Sequence, residues 1–420
     1  MSSYGPITAC QTCGCTDLQP VIFLAYLPSV NIMSSIGQPH DLQQWFPAEM
    51  LRCPQCTLVQ LGYVPDPSLI FPPEYPYTSG TTKILRENFA DLYVHTKALM
   101  DLQPHHFVID IGSNDGTLLK NFKNGGHKVL GIEPSLTAKL AEADGVPTLM
   151  TFFGTAATDI VLGTHGKADV ITAANVFAHI LNPNDVVENI ARLLSDDGVF
   201  ISENHYLLGL VETLQYDTIY HEHLRYYSLQ SVKFLLEKHG FRVFKVERIK
   251  THGGGIRVYA TKSVKYSSDG SVEALLAVED KAGLTGTSWI APFREGVLRS
   301  KLELYWLLKD ICAKGQKVYG ISAPSRAATL VNYVGLDDGM IPCIMEIKGS
   351  KKIGKFMPGR NIPVLDETKL YEDQPPYVLL LSWHIANELM TNLKKRGYKG
   401  DFIIPLPSPR IVRNHEVTVS

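Results

Sequence analysis

Short apolar runs alternate with helical patterns through the middle of the chain. The segment HFVIDIGSNDGTLLKNF predicts a buried strand, a glycine-containing turn and a helix, and HKVLGIEPS predicts the next strand. KADVITAANVFAHI predicts a later strand, and a helix from Asn184 precedes the strand GVFISENHY. Because such alternation builds a parallel sheet covered by helices, ligands are expected at the carboxyl ends of the strands.

The last third of the chain shows a second pattern of the same kind. A helical region runs from SVEALLAVEDKAG through VLRSKLELYWLLKDICAKG. QKVYGISAPSRAATLVNYVG then predicts a strand, a turn of small residues and a helix, and YVLLLSW and DFIIPLP predict further strands. The predicted fold class is therefore α/β, and a length of 420 residues favours two or three domains.

Composition and charge narrow the classes of protein that fit this pattern. The chain is 45% hydrophobic and 20% charged with a formal net charge of -2, so bulk electrostatics indicates neither a nucleic-acid nor a membrane partner. No apolar run approaches the ~18 residues of a membrane span, and the first residues lack the basic and apolar segments of a signal peptide. We therefore expect a cytoplasmic protein, either a monomer or a loose homo-oligomer.

The cysteines are concentrated at the N-terminus, since five of seven lie before residue 57. In a cytosolic enzyme this distribution indicates metal binding rather than disulfides. Two CxxC turns supply four sulfurs for a closed, structural zinc site and leave Cys15 over. Unpaired core cysteines and a nucleic-acid-binding zinc ribbon are the alternatives, and the few basic residues between the turns disfavour the ribbon. The predicted zinc ligands are Cys10, Cys13, Cys53 and Cys56.

The turn after the first central strand carries an acid and two glycines, Asp110-x-Gly112-x-x-x-Gly116. The glycines lack a Cβ and let backbone N–H groups approach a ligand. Glu133 ends the next strand, where an acid accepts hydrogen bonds from ribose hydroxyls. A dinucleotide fingerprint has glycine where this chain has Asn114, which disfavours an NAD-dependent oxidoreductase. The acidic turn suits S-adenosylmethionine (SAM), which has no phosphate and a cationic amino-acid end.

Residues 216–228, YDTIYHEHLRYYS, place four tyrosines, two histidines and a glutamate in thirteen positions. A surface loop would favour Lys, Gly and Ser, and a core strand would not carry His-Glu-His. Any one of these residues is more often a packing residue than a catalytic one. The cluster as a whole indicates a site at which protons are moved.

These segments together resemble a known family, the SAM-dependent C-methyltransferases that act on nucleotide-linked 4-keto-6-deoxy sugars. The resemblance covers nearly the whole chain and includes the double CxxC lobe, DIGSNDGTLL, NVFAHI, YHEHLRYYS and HGGGIRVY. It implies a zinc-binding lobe over residues 1–75 and a central Rossmann-like class I methyltransferase domain over residues 76–265. A C-terminal Rossmann-like domain that binds the nucleotide sugar is implied over residues 266–420.

The resemblance also implies a reaction in deoxysugar biosynthesis. A ketone at C4 acidifies the C–H at C3, a base removes that proton, and the resulting enolate takes the methyl group. His223 is the implied base, Tyr220 donates to the C4 oxyanion, and Glu222 orients a ring or contacts a sugar hydroxyl. Tyr77 and His179 match further active-site residues.

Other implied residues contact the cofactor or the substrate. Asn175 and Phe177 are implied at the cofactor. The resemblance leaves the nucleotide open between thymidine and guanosine. The residues implied at the substrate are Tyr75, His221, His252, Gly254, Arg257, Ser322, Ser325, Arg326 and Lys352.

Two of these segments have plainer interpretations. HGGGIRVY fits a glycine turn entering an edge strand about as well as a substrate contact, and the cationic loop around Lys352 fits a solvated loop about as well as a diphosphate contact. Other functions also compete: an O- or N-methyltransferase on a nucleotide sugar, or a non-catalytic nucleotide-sugar-binding or zinc-ribbon scaffold. A C-methyltransferase should exchange the C3 hydrogen with solvent, whereas an O-methyltransferase has no need to.

Overall fold

The computed structural model describes residues 4–38, 43–70 and 78–418, so the predicted site residues Tyr75 and Tyr77 lie outside the described residues. The chain folds into an N-terminal lobe, a central α/β unit and a C-terminal α/β unit. None of the helices in these ranges combines the length and hydrophobicity that crossing a bilayer requires.

The N-terminal lobe consists of short antiparallel strands. β2, β3 and β4 form a sheet in that order, and β1 pairs with β5. One CxxC turn lies between β1 and β2, and the other follows β3 directly. The strands are β1 (Gly5–Pro6), β2 (Gln19–Pro28), β3 (Trp45–Arg52), β4 (Val59–Leu61) and β5 (Tyr63–Val64).

The central unit alternates helices and strands. Its helices are α1 (Lys83–Met100), α2 (Thr117–Asn124), α3 (Ala138–Ala143), α4 (Thr155–Thr164), α5 (Pro183–Leu193), α6 (Leu207–Glu212) and α7 (Leu229–Lys238). Its strands are β6 (Phe107–Ile111), β7 (Lys128–Ile132), β8 (Thr148–Leu149), β9 (Ala168–Ala174), β10 (Leu194–His205), β11 (Arg225–Tyr226), β12 (Arg242–Ile249) and β13 (Gly255–Thr261).

Seven of these strands form one sheet in the order β8-β7-β6-β9-β10-β13-β12. The first five are parallel, and β13 is antiparallel to both neighbours. All five residues of β6 are buried because helices cover both faces of the sheet. The strand order reverses at β6, which opens a crevice at the carboxyl ends of β6 and β9. This topology confirms the predicted class I methyltransferase fold.

Two local predictions need correction. The helix expected from Asn184 begins at Pro183, because the side chain of Asn182 accepts the Asp185 N–H and caps it. The alternative interpretation of HGGGIRVY predicted an edge strand. The strand is instead an interior one, because β13 lies between β10 and β12 and is buried at every position.

The C-terminal unit has its own sheet, in the order β16-β15-β14-β17-β18-β19. All pairs are parallel except β18 with β19, which confirms the predicted second Rossmann-like unit. Its helices are α8 (Ser271–Lys281), α9 (Ile290–Ala313), α10 (Ser325–Val334), α11 (Thr368–Asp373) and α12 (Ala386–Lys395). Its strands are β14 (Val318–Ile321), β15 (Ile344–Glu346), β16 (Val364–Asp366), β17 (Tyr377–Leu380), β18 (Asp401–Ile404) and β19 (Arg410–Val412).

The tyrosine- and histidine-rich segment lies where the three units meet. Its strand β11 pairs with β4 and so extends the sheet of the N-terminal lobe. Earlier in the segment, the carbonyl of Ile219 accepts the hydroxyl of Thr329 on α10, 3.3 Å away. The polypeptide stretch that carries the predicted base is therefore fixed from both sides.

Candidate active site

His223 is the one residue of the segment 216–228 that is not fully buried. The rings of His179 and His205 lie beside it, with centroids 5.1 and 6.4 Å from its own. His252 and His384 are also partly exposed; His252 interacts electrostatically with His223, and His384 with His252 and His205. The structure thus brings together five partly exposed histidines, four from the central unit and His384 from the C-terminal unit, and we call the boundary that they line the cleft.

The hydrogen bonds of His223 define its tautomer. Its Nδ1 lies 3.0 Å from the carbonyl oxygen of Thr218, which can only accept, so Nδ1 carries the hydrogen. Its Nε2 lies 3.0 Å from the hydroxyl oxygen of Tyr220 and accepts a hydrogen bond from that hydroxyl. The lone pair of Nε2 is therefore the basic site of the ring.

Burial keeps these groups uncharged. The buried environment, followed by the nearby His179 and His205, lowers the pKa of His223 well below its ordinary value. Burial also lowers the pKa of His179 and His252 to about 4. Burial and then the charge of Glu222 raise the pKa of Tyr220. At neutral pH the site accordingly holds neutral imidazoles and a protonated phenol that can donate a hydrogen bond.

Gln215 and Asp217 connect this cleft to the C-terminal unit. The Oε1 of Gln215 accepts His205 Nε2 at 3.0 Å and Arg326 Nη2 at 2.9 Å. The Oδ2 of Asp217 lies 3.2 Å from Arg326 Nε and accepts Trp383 Nε1 at 2.7 Å. Sequence reasoning missed both residues, because their partners in the C-terminal unit, Arg326 and Trp383, lie more than a hundred positions away along the chain.

Arg326 contacts protein groups at the predicted nucleotide site. Besides Gln215 and Asp217, its Nη1 lies 2.9 Å from Nδ1 of His384. The guanidinium also lies over the ring of Trp383, 5.2 Å from its centroid. These contacts place its charge at the boundary between the two α/β units.

Three predicted residues do not reach the cleft with their side chains. His221 packs on the N-terminal lobe, where Nε2 lies 3.2 Å from the carbonyl of Pro47 and the pKa is lowered by burial to about 4. Phe177 is fully buried with its ring against Phe200 in the core. Arg257 is also buried, and its guanidinium is paired under α1 as described next.

Arg257 is held by acidic groups rather than exposed to a ligand. Its Nε lies 2.7 Å from Oε1 of Glu203 on β10, and both side chains are fully buried. Nη1 lies 3.2 Å from Asp91 and 3.3 Å from Glu247. A buried cation requires such partners, and HGGGIRVY alone does not show them.

The glycine turn and Glu133 meet at the carboxyl ends of β6 and β7. Glu133 accepts the backbone N–H of Asn114 at 3.1 Å. Gly112 has a φ of 69°, and a Cβ there would lie 2.6 Å from Val176, so the turn requires glycine. Burial raises the pKa of Asp110 to about 8. Asp110 is therefore largely protonated at neutral pH and bonded to the Thr172 hydroxyl, so the features that suit SAM are the Cβ-free turn at Gly112 and the acid Glu133.

Two further predicted cofactor residues lie beside this turn. Gly116 starts α2 in a left-handed conformation with a φ of 74°. Asn175 follows β9 with a φ of 59° and donates its N–H to the carbonyl of Glu203 at 2.8 Å. Both residues thus lie at the same edge of the sheet as Glu133.

The small-residue turn of the C-terminal unit has a similar arrangement. Ser322 has a φ of 68°, and the next N–H, of Ala323, donates to Oε1 of Glu346 at 2.6 Å. Lys352 donates from Nζ to the carbonyl of Ala323 at 2.6 Å, and burial lowers its pKa. Ser325 begins α10 beside this turn. The predicted loop cation is therefore packed into the site.

Two predicted residues of the glycine segment, His252 and Gly254, lie in the turn that precedes β13. His252 has a left-handed φ of 55°. The carbonyl of Gly254 accepts the N–H of Tyr206 at 3.2 Å. A Cβ at Gly253 would lie 2.8 Å from the side chain of Gln215, so only glycine lets this turn pack so closely against Gln215.

Four cysteines of the N-terminal lobe form a compact sulfur cluster. The sulfurs of Cys10, Cys13, Cys53 and Cys56 all lie within 4.8 Å of one another. The Cys10–Cys56 and Cys13–Cys53 pairs are 3.4 Å apart, too long for a disulfide. Sulfurs on a tetrahedral zinc ion at about 2.3 Å lie about 3.8 Å apart, so the cluster fits zinc. Cys15 lies outside it, as predicted.

Comparison with known proteins adds three family matches that together span most of the chain. Residues 10–71 match a "Putative zinc binding domain", residues 86–246 a "Methyltransferase domain" and residues 250–407 a "C-methyltransferase C-terminal domain". The chain is also 30% identical over 412 residues to the C-methyltransferase NovU of Streptomyces niveus, covering 97% of both chains.

Among solved structures, the central unit is similar to several methyltransferases. A SAM-dependent methyltransferase from Clostridium acetobutylicum ATCC 824 is 10% identical with a TM-score of 0.35, over 43% of this chain and 92% of that one. Magnesium protoporphyrin IX methyltransferase from Synechocystis PCC 6803 is 16% identical with a TM-score of 0.34, over 42% and 83%.

The match to NovU extends over the sulfur cluster, the glycine turn, the histidine cleft and both α/β sheets. The three family models divide the same range into a zinc-binding, a methyltransferase and a C-methyltransferase C-terminal part. The chain belongs to the SAM-dependent C-methyltransferase family.

Proposed function

We propose that this C-methyltransferase adds a methyl group to C3 of a nucleotide-linked 4-keto-6-deoxy sugar, within deoxysugar biosynthesis. The observation that carries the proposal is the pairing of an unprotonated Nε2 on His223 with the hydroxyl of Tyr220 at 3.0 Å, in a cleft between two Rossmann-like units. A base beside a neutral hydrogen-bond donor is what enolisation of a ketone requires.

The first step is proton removal. With the ketone in the cleft, Nε2 of His223 takes the proton from C3, and the C–H electron pair becomes part of an enolate. The Thr218 carbonyl keeps the opposite nitrogen protonated and so stabilises the imidazolium that forms. The hydroxyl of Tyr220 turns from Nε2 to the C4 oxygen and stabilises its negative charge.

The second step joins C3 to the methyl group. When bound, SAM supplies a methyl group on a positively charged sulfur, which makes that carbon electrophilic. Transfer of that methyl group to C3 would leave S-adenosylhomocysteine, and the proton taken from C3 would remain on His223. That proton must return to solvent before the next turnover, and the low pKa of His223 favours its release.

The C-terminal unit is proposed to hold the nucleotide diphosphate. Ser322 and Ser325 lie at the turn after β14, where a helix begins. Lys352 packs against this turn and supplies a positive charge. We propose that the backbone at Gly254 and the ring of His252 complete the sugar site from the central unit.

Solvent exchange tests the reaction. The enzyme is incubated in D₂O with S-adenosylhomocysteine and a dTDP- or GDP-linked 4-keto-6-deoxy sugar, and we expect deuterium at C3 and, with SAM, a product heavier by one methyl group. Deuterium and methyl at C5, the other carbon next to the ketone, would move the reaction there. A methylated oxygen or nitrogen without exchange would contradict C-methylation.

The pH dependence of kcat/KM should report the lowered pKa of His223. Because the pKa of His223 lies well below its ordinary value, the imidazole is neutral through the neutral range. Activity should stay level as pH falls through ~6.5, the ordinary histidine pKa, and decline only when the folded-state pKa is reached. If kcat/KM, measured with saturating SAM, instead declines around the ordinary histidine pKa, the base does not have the lowered pKa of His223.

Glu133→Gln should weaken SAM binding before it affects anything else. The amide keeps the size of the side chain but loses a charged acceptor for the ribose hydroxyls, and charge-assisted hydrogen bonds correspond to about a tenfold change or more in Kd. Isothermal titration with S-adenosylhomocysteine measures the change. Glu142→Gln on nearby α3 is the matched control, and equal affinities in all three proteins would remove Glu133 from the cofactor site.

A further inference from the structure

We infer that the N-terminal lobe supplies a positioning residue to the active site: Asn31 orients the carboxylate of Glu222. This inference rests on the proposed function, in which Glu222 contacts the sugar beside the reacting carbon. The lobe is then more than a stabilising module, because one of its side chains determines where a catalytic-site carboxylate points.

The contact is short, buried and polar. Nδ2 of Asn31 lies 2.6 Å from Oε1 of Glu222, and the two side chains are 8% and 2% exposed. Asn31 follows the end of β2 by three residues, whereas Glu222 precedes the base in the central unit. A charge-assisted hydrogen bond that solvent does not reach has a strong effect on orientation.

The C-terminal unit fixes the other end of the same amide. The hydroxyl of Ser325 lies 3.2 Å from Oδ1 of Asn31. Since a carboxylate only accepts, the amide must present its NH₂ group to Glu222 and its oxygen to Ser325. Asn31 therefore joins all three units in one chain of hydrogen bonds.

Glu222 interacts with several titratable groups around it, so the charge of its carboxylate affects their protonation. Burial and then the charge of Glu222 raise the pKa of Tyr220. The charges of Glu346 and Glu222 partly oppose the burial that lowers the pKa of Lys352. The ring of His179 hydrogen-bonds the backbone of Glu222. A neutral donor at position 31 adds no charge to this group, whereas a second carboxylate would compete with Glu222 for a proton.

Asn31→Asp tests the inference because it keeps the shape and changes only the chemistry of one atom. At alkaline pH two carboxylates repel, and we expect kcat to fall by about 10- to 100-fold. As pH falls, the pair takes up one shared proton, the hydrogen bond re-forms, and kcat should rise toward the wild-type value. The low pKa of His223 leaves the base neutral in this range. Wild-type and variant kcat are compared across pH.

Two further variants keep the test decisive. Asn31→Ala removes the donor and should lower kcat at every pH without recovery, with melting temperature measured in parallel. Asn189→Asp places a carboxyl at another buried amide, on α5, and should keep the wild-type pH profile. Wild-type kcat in Asn31→Ala, or no acid recovery in a folded Asn31→Asp, would overturn the inference.

The same assay separates this inference from the proposed function. If the wild-type enzyme forms no methylated keto sugar, the proposed function is wrong whatever Asn31 does. If the wild type forms product and the Asn31 variants match it at all pH values, only the positioning role is wrong.

Discussion

His223→Asn is expected to abolish methyl transfer while SAM still binds. Asparagine can keep a hydrogen bond to the Thr218 carbonyl, but it has no basic nitrogen at the position of Nε2. General-base catalysis contributes about 10²- to 10⁴-fold, so kcat should fall by at least that range. Steady-state turnover by mass spectrometry measures the loss, and titration with S-adenosylhomocysteine should give an unchanged Kd.

His221→Asn is the matched control, two residues away in the same segment. Its ring faces Pro47 and Phe46 of the N-terminal lobe rather than the cleft. We expect reduced stability and a far smaller change in kcat. If both variants lose kcat equally at equal thermal stability, or if His223→Asn keeps wild-type turnover and C3 exchange, His223 is not the base.

Cys10→Ser should release zinc and destabilise the N-terminal lobe. Three thiolates and a hydroxyl bind zinc much more weakly than four thiolates, and structural zinc contributes about 10–16 kcal/mol to the folding of isolated zinc-finger peptides. The hydrogen bond between the two thiols of Cys10 and Cys56 lowers the pKa of Cys10 and raises that of Cys56, so binding of zinc to both sulfurs must release a proton. Zinc content per chain and melting temperature are the measurements.

Cys15→Ser provides the control for that experiment. Cys15 lies two residues after Cys13, and its backbone carbonyl accepts the Cys10 N–H at 2.8 Å. Its thiol lies near Cys53 but is not one of the four clustered sulfurs. This variant should keep zinc and its melting temperature. A Cys10→Ser protein with unchanged metal content and stability would show that the sulfur cluster does not hold a structural metal.

Local patterns were sufficient to predict the parts of the fold that depend on neighbouring residues. Apolar runs predicted β6, β7 and β9 because each strand depends on a few consecutive positions. Each CxxC turn likewise brings two sulfurs together locally, and the need of zinc for four ligands predicted that the two turns meet. Predicting a base at His223 required the resemblance to a family as well as the density of titratable groups.

Long-range pairing explains what the sequence did not reveal. Asn31 and Glu222 are separated by 191 positions, and nothing near either residue indicates the other. From the sequence alone, Arg257 could be a ligand contact. The pairing of β10 with β13 instead places it beside Glu203, which lies 54 positions away along the chain. Only the assembled sheet determines which side chains of neighbouring strands contact one another.

The strand pairing of β11 with β4 has a consequence for the lifetime of the enzyme. The carbonyl of Leu224, the residue after His223, accepts the N–H of Leu61 at 2.9 Å, so the metal-bearing lobe is tied to the main chain next to the base. Loss of zinc from the sulfur cluster, by oxidation or chelation, should therefore abolish turnover before the rest of the protein unfolds. The glycine turn that we expect to bind SAM belongs to a different sheet and should remain intact, so the inactive protein should still bind its methyl donor.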